Sequence, residues 1–499
     1  MPNLLYIHSD QHCPLVTGCY GDRVVETPNL DRLAASGVVM DSAYCPSPIC
    51  GPSRMSMLTG RHPYQNRSWT NRDILDSQIP SLAHAMGAAG YRPVLAGRMH
   101  SIGPDQLRGY SQRLVGDHSP NLPGGGPAPD RGALNGTAGP ALVSLQASGA
   151  GQSGYEVHDE DVTDAAVAYL SQLGDAEQPF SLTVGLMLPH PPYVARRPDY
   201  ERYAGNVPPP RNPTFTEESP PEFLRWWRKN GGLDVVSDEA KQRSRIAYWG
   251  LVASMDRMIG RILDALEQTG QAEDTLVVYT SDHGDMLGEH GLFWKHTFYE
   301  ESVRVPLLLS WPGVIPAGKR NANVVSALDV TATILDAVQA PPLPGSPGRS
   351  LLPLARGDAG AVDAWEDVAF SEYCSDESGW SPPGGCYQRM IRAGDWKLIY
   401  YHDEGLQLFN LREDPGELAN RADAPDCRQV RDDLQARLLA DWHPEQVIAD
   451  MAARREQNAI LAAWAENTQP ANQHLWDLQS KMFYLEDPQQ GRAGPTTGS

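Results

Sequence analysis

Four short apolar runs, each stopping at polar or charged residues, constrain this chain more than any other feature. "NLLYIH" runs into Ser9 and Asp10, and "YRPVLAG" into Arg98, Met99 and His100. "FSLTVGLMLP" runs into His190, and "TLVVYTS" into Asp282 and His283. Near-continuous apolar runs of this length mark parallel strands buried on both faces. Helical patterns lie between them, at 28–36, 80–90, 160–173 and 244–269. Strand–helix alternation implies an α/β sheet with helical crossovers. In such sheets the ligand site lies beyond the carboxyl ends of the strands. Asp10, Arg98, His100, His190, Asp282 and His283 are therefore expected to meet at one edge. Any one of them alone would pass as a loop cap; the set of them at the ends of four runs would not.

Pro/Gly/Ser-rich stretches at 119–154 and 205–222 read as surface excursions, and another at 340–358 loosens the chain. Beyond it, "DVAFSEY", "YQRMIRAGDWKLIYY" and "LQLFNL" alternate as short strands, followed by a helix near 427–441. These imply an α/β catalytic domain over 1–360 and a small α+β domain with an antiparallel sheet over 361–445. The remainder, 446–499, reads as a helix to 466, the aromatic stretch "HLWDLQSKMFYLEDP" and a disordered end. That stretch is too apolar to hang in water, so it is expected to pack on its own domain or on a second copy in a homo-oligomer.

"CPSPICGPSRMSMLTGRHPY", residues 45–64, places Cys50 before a Gly-Pro-Ser-Arg turn and a short apolar helix. Pro52 sits where a first helical residue should be, and Gly60 closes the run. Cys50 would then sit at a helix N-terminus, where N–H groups and the dipole favour an anion, with Arg54 over the same turn. The thiol is a nucleophile, a metal ligand or the precursor of something else. A cysteine phosphatase loop needs five residues between Cys and Arg; here there are three, which excludes it.

A formal net charge of −21 argues against nucleic acid and anionic membranes as partners. The N-terminus shows no signal-peptide pattern and no apolar run approaches the roughly 18 residues of a membrane span, so a cytoplasmic protein is expected. The seven cysteines include no C-x-x-C pair, so neither a disulfide framework nor a zinc ribbon is indicated. Asp10, Asp282 and His283 suit a divalent cation such as Ca²⁺, Mg²⁺ or Mn²⁺ better than zinc. Arg54, Arg98 and Lys295 bring positive charge for a tetrahedral oxyanion, and His100 and His190 can shuttle protons near neutrality.

With those residues in place, "CGPSRMSMLTGR" resembles the signature of the type I sulfatases, Cys-x-Pro-Ser-Arg followed by Thr-Gly-Arg. The resemblance continues in order through "GYRPVLAGRMH", "LPHPPY", "SDHGDMLGEHGLFWKHTFYEESVRVPLLL" and "LQLFNLREDPGELAN". It implies an alkaline-phosphatase-like α/β sandwich and hydrolysis of small-molecule sulfate esters to alcohol and sulfate. It also implies that a maturation enzyme oxidises Cys50 to formylglycine, whose hydrate is the nucleophile. Residue 50, Asp10, Asp282 and His283 would bind one divalent metal, Ca²⁺ first. Arg54 would hold the hydrate and the sulfate, while Arg98 and Lys295 would clamp sulfate oxygens. Asp282 would be the base for attack, His190 the acid for the leaving alcohol and His100 the base that expels sulfate. Asn71 is a candidate substrate contact.

Three positions depart from the common pattern. Arg98 stands where Lys is usual, which keeps the charge but replaces a point charge by a planar fork. Gln11 stands where many members have a second Asp, and His283 where many have Asn. The last two resemble the subgroup of choline sulfatases and phosphonate monoester hydrolases. The latter carry Tyr and Thr at positions 98 and 100, so Arg98 and His100 favour sulfate; phosphonate or phosphodiester hydrolysis is the alternative. An unconverted, inactive binding paralogue is a third reading, disfavoured because every expected polar position is filled.

Overall fold

A computed structural model of the chain describes residues 1–118, 121–122, 129–173, 178–214 and 220–486. In chain order the first unit contains β1 (Asn3–Asp10), α1 (Pro28–Ala35), β2 (Val38–Tyr44), α2 (Cys50–Thr59), β3 (Pro93–Gly97) and β4 (Gln112–Arg113). It goes on through β5 (Gly149–Gln152), α3 (Gly154–Ser171), β6 (Ser181–Pro189), β7 (Val194–Ala195), α4 (Asp238–Gln268), β8 (Thr275–Ser281), β9 (Arg304–Val305), β10 (Leu307–Ser310) and β11 (Lys319–Ser326).

The main sheet runs β11-β2-β10-β8-β1-β6-β3-β4, with β9 beside β2. The four runs singled out in the sequence are β8, β1, β6 and β3, four consecutive strands, and all three of their pairings are parallel. Every residue of these strands is buried, as expected where helices cover both faces. Register brings their ends level: Ser9 pairs with Ser281, and Gly97 with Gly185. Gly185 has no alternative there, because a Cβ would lie 1.9 Å from the Arg98 carbonyl oxygen. α4 packs on β6 and on α3, and its buried Asp256 accepts the N–H groups of Asn29 and Leu30 at the start of α1.

The second sheet is antiparallel: β12 (Val368–Ser375), β13 (Cys386–Ala393), β14 (Trp396–Tyr401) and β15 (Gly405–Asn410), in that order. α5 (Arg428–Leu439) packs on β13 and β14. Buried Arg389 donates to the Leu438 carbonyl and to Asp441 and lies over the Phe370 ring. This layer reaches the loops around Cys50: Glu372 N–H donates to the Pro46 carbonyl, and the Trp69 indole donates to Glu372 at 2.9 Å.

α6 (Pro444–Thr468) follows, and the chain then returns to the first unit, where β16 (Tyr484–Leu485) pairs with β5 and β5 with β7. Here the structure corrects the sequence reading of 119–154 as a surface excursion. Leu134 and Leu145 are fully buried, and Gly149–Gln152 forms the central strand of a three-stranded sheet. Leu145 packs into the main core, whereas Leu134 is buried by the returning tail, which no local pattern encodes; Phe483 closes that cluster against Tyr155. Residues 119–120 and 123–128 of that stretch, and the "GPTTGS" end, lie outside the described residues. Among the described residues no helix is long and apolar enough to cross a membrane.

Candidate active site

α2 starts at Cys50 itself, two residues before the Pro52 start suggested by the sequence, and Gly60 ends it in the left-handed region at φ 66°. The whole helix is buried, so its N-terminus opens inside the protein at the ends of β1 and β8. Asn71 accepts the Gly51 N–H at 2.8 Å. This satisfies an orphan donor of the first turn and ties Asn71 to the helix start.

Cys50 Sγ lies 3.5 Å from Asp10 Oδ1, 3.2 Å from His283 Nε2 and 3.0 Å from Lys295 Nζ. Ligand atoms of Asp10, Cys50, Asp282 and His283 lie within 4.8 Å of one another, and all four residues are buried. His283 Nδ1–H donates to the Gly284 carbonyl. Nε2 therefore carries the lone pair and faces the cluster, the tautomer a metal ligand needs. Two carboxylates, one such imidazole and the atom at position 50 fit a divalent cation. Burial, with Lys295 nearby, lowers His283 to about 4, so the ring is neutral. Burial alone would push the Asp10 carboxyl up; the surrounding cations outweigh it and hold Asp10 well below the ordinary carboxylate range.

Arg54 is buried and bonded to protein with every nitrogen of its guanidinium. Nε donates to Asp282 Oδ2 at 2.8 Å, and Nη2 to Asp10 Oδ2 and the Ser9 carbonyl. Nη1 donates to His8 Nδ1 and the Arg98 carbonyl. All five N–H groups of the guanidinium have protein acceptors, both aspartates of the metal-capable cluster among them. Arg54 holds the two aspartates apart and in place. Sequence reasoning passed over His8, whose alternation with the apolar residues of β1 reads as ordinary strand patterning.

Lys295 and Arg98 stand differently. Lys295 donates to Gln11 Oε1 at 2.8 Å as well as facing Cys50, so one ammonium N–H has no protein acceptor among the described residues. Gln11 Nε2 in turn donates to Asp285 Oδ2 at 2.6 Å. The amide thus replaces a third carboxylate near the metal-capable cluster and relays Lys295 to Asp285. Asp285 is raised to about 6, first by burial, while accepting from Tyr193 and Leu287; its only sequence signal is the second Asp of "SDHGD". Arg98 donates to Asp10, Asp117 and the rings of His100 and His118. Asp117, at the rim of a low-complexity stretch, has no sequence signal of its own.

Both expected proton carriers border this centre, with a correction to their state. His100 sits beside Arg98, and burial followed by that cation pushes it well below the ordinary histidine range. His190 follows β6 and donates from Nδ1 to the Pro191 carbonyl; burial and then Lys295 push it down likewise. The sequence reading had both titrating near neutrality. Burial first, and then the neighbouring cations, favour the neutral ring in both.

A sulfatase family model matches residues 2–340, and one described as N-sulphoglucosamine sulphohydrolase, C-terminal, matches 288–443. The chain belongs to the sulfatase family. Its reaction is therefore the hydrolysis of sulfate esters. The choline-sulfatase of Rhizobium meliloti (strain 1021) is 34% identical over 447 residues, 85% of this chain and 83% of that one. Arylsulfatase K of Danio rerio is 31% identical over 474 residues, 88% and 84% of the two chains. Among solved structures, the phosphonate monoester hydrolase of Agrobacterium radiobacter superposes with TM-score 0.71 at 23% identity, over 91% of this chain and 96% of that one. A 2-O GAG sulfatase gives TM-score 0.72 at 23% identity, over 91% and 94%. These likenesses place this sulfatase in the alkaline-phosphatase-like fold, with the mostly parallel sheet and the antiparallel C-terminal sheet described above.

Proposed function

We propose that the chain hydrolyses small-molecule sulfate monoesters with a formylglycine hydrate at position 50 as nucleophile. The observation that carries this is the setting of Cys50: a buried side chain at a helix N-terminus, touching Asp10, His283 and Lys295. Burial, and then Asp10, push its thiol up to about 11. A thiol kept protonated at neutral pH is a poor nucleophile, whereas an aldehyde hydrate made from it by a maturation enzyme presents a hydroxyl at the same point.

A divalent cation held by Asp10, Asp282, His283 and residue 50, Ca²⁺ in the first instance, would supply positive charge against sulfate oxygens. Lys295 and Arg98 add theirs from the other side, and Arg54 keeps Asp10 and Asp282 in register. Asp282 is the group to take the proton of the attacking hydroxyl. His190 delivers a proton to the leaving alcohol oxygen, and His100 takes the proton whose loss lets sulfate depart, on the Nδ1 lone pair that Arg98 Nη2 must first release. For His190 to act as an acid its ring must gain a proton, and the negative charge of the bound ester supplies that bias.

The relatives' names direct the search for the alcohol to choline sulfate and aryl sulfates. A homo-oligomer rests on the apolar side chains the tail leaves outside, Ile460 at 74% and Leu475 at 45% exposed among them; light scattering of the full chain decides it. The reaction is tested by comparing an aryl sulfate with the phosphonate monoester and phosphodiester of the same leaving group, on one preparation of known aldehyde content. Higher kcat/KM on sulfate is expected. A phosphorus ester winning by tenfold, about 1.4 kcal/mol of transition-state preference, would transfer the assignment to the alternative.

A further inference from the structure

Resting on that reading of the site, we propose that Asp117 is the positioning residue for Arg98 and His100. We propose further that the C-terminal segment around Leu475 is the clamp that holds Asp117 in place. The Asp117 carboxylate is fully buried and both oxygens are committed. Oδ1 accepts from Arg98 Nη1 at 3.1 Å; Oδ2 accepts the His100 backbone N–H at 3.0 Å and Arg113 Nη2 at 3.1 Å. One carboxylate thus sets the angle of the sulfate-side guanidinium and the backbone of the sulfate-side histidine. His100 needs such support: its φ is 60°, a left-handed conformation that a non-glycine residue keeps only where the surroundings over-determine it.

Asp117 lies on an irregular segment whose order comes from both sides. On one side Gly97 N–H donates to the Val115 carbonyl and Leu114 N–H to the Leu95 carbonyl. On the other, Asp117 N–H donates to the His474 carbonyl at 3.0 Å and Trp476 N–H to the Asp117 carbonyl at 2.7 Å, a parallel bridge between Asp117 and Leu475. The clamp is itself anchored. The Trp476 indole donates to Asp161 at 2.8 Å and its ring meets His158 edge-on, while His158 Nε2–H donates to the Gly116 carbonyl. Contact at Gly116 is so close that a Cβ there would lie 1.9 Å from the His474 oxygen. Nothing in the clamp is a candidate substrate contact, metal ligand or proton carrier, yet it borders the residue that aims a candidate substrate contact, Arg98, and a candidate proton carrier, His100.

The test is the inhibition constant for inorganic sulfate together with kcat/KM, measured on full-length enzyme with aldehyde content determined for each variant. An inhibition constant is insensitive to an inactive fraction, so a merely structural defect lowers turnover without moving it. Asp117→Asn is expected to raise that constant at least tenfold and to lower kcat/KM by about 10²-fold, the scale of losing one well-aimed oxyanion donor. Gly116→Ala and Trp476→Ala alter no atom of the site; each is expected to raise it threefold or more at unchanged aldehyde content, and they decide the matter if Asp117→Asn does not fold. Constants within twofold of wild type in the variants that fold overturn the proposal. Wild-type enzyme inactive on every sulfate ester overturns the underlying reading instead, a failure distinguished by its appearing before any substitution.

Discussion

Arg98 Nε donates to Asp10 Oδ2 at 2.8 Å, so a buried guanidinium is bonded directly to a carboxylate of the metal-capable cluster. The same guanidinium reaches Asp117 and the ring of His100 with its other nitrogens. Charge and geometry at this position are therefore separate requirements.

Arg98→Ala is expected to lower kcat/KM by about 10²-fold or more, because a contact that strengthens as charge develops on sulfate is lost. Arg98→Lys keeps the charge, but one ammonium cannot span Asp10, Asp117 and His100 together. Its kcat/KM should fall between the two, roughly tenfold below wild type. Steady-state kinetics on one sulfate ester checks this; a Lys variant equal to wild type would show that charge alone suffices.

Cys50 in active enzyme should have lost its thiol and gained an aldehyde. Peptide mass spectrometry reads this directly, and an active preparation with Cys50 wholly unmodified would refute it. Cys50→Ala is expected to be nearly inactive, since nucleophile and metal ligand disappear together.

Metal removal should lower both activity and thermal midpoint, because a cation that binds only the folded state adds stability, about 2.7 kcal/mol at a hundredfold excess over Kd. Calorimetry of chelated protein titrated with Ca²⁺, Mg²⁺ and Mn²⁺ ranks the metals by the midpoint recovered. His283→Ala should shrink the recovery for the preferred ion. A recovery identical to wild type would remove His283 from the ligand set.

Glu372 supplies a pH dependence away from the chemistry. It is fully buried and its carboxyl is raised from 4.5 to about 7, first by burial, so folding favours its neutral form. A raised carboxyl contributes stability below its unfolded value and loses that contribution as pH rises through its folded value. The loss here runs from about pH 4.5 to 7 and is of order 3 kcal/mol. Glu372→Gln removes the titration. Its unfolding free energy relative to wild type should therefore improve between pH 5 and pH 8, whatever its value at pH 5. Denaturant curves at the two pH values measure this, and a pH-independent difference would contradict it.

The four central strands are legible in the sequence because burial on both faces demands unbroken apolar runs, and the polar residues that end them stand out by contrast. Cys50 and Arg54 are legible because a helix start needs a particular short spacing, and Asp282 with His283 because they end a run together. His8, Asp285 and Asp117 are not. Each is a single polar residue in ordinary local surroundings, and the partner that ties it to the site, Arg54 for His8, Gln11 for Asp285 and Arg98 for Asp117, lies outside its own stretch.

Local chain chemistry by itself determined the fold class, the edge of the sheet where the site lies and the residue types gathered there. Only the tertiary structure decided which cation spends all its donors on protein acceptors and which does not. Arg54, four residues from Cys50, has its donors drawn inward by the ends of β1 and β8, while Lys295, far away in sequence, donates to Gln11 and Cys50. A guanidinium donates wherever acceptors converge within about 3 Å. That convergence depends on strand order and register, together with a tail that returns to the first unit, none of which is written in any short stretch of residues.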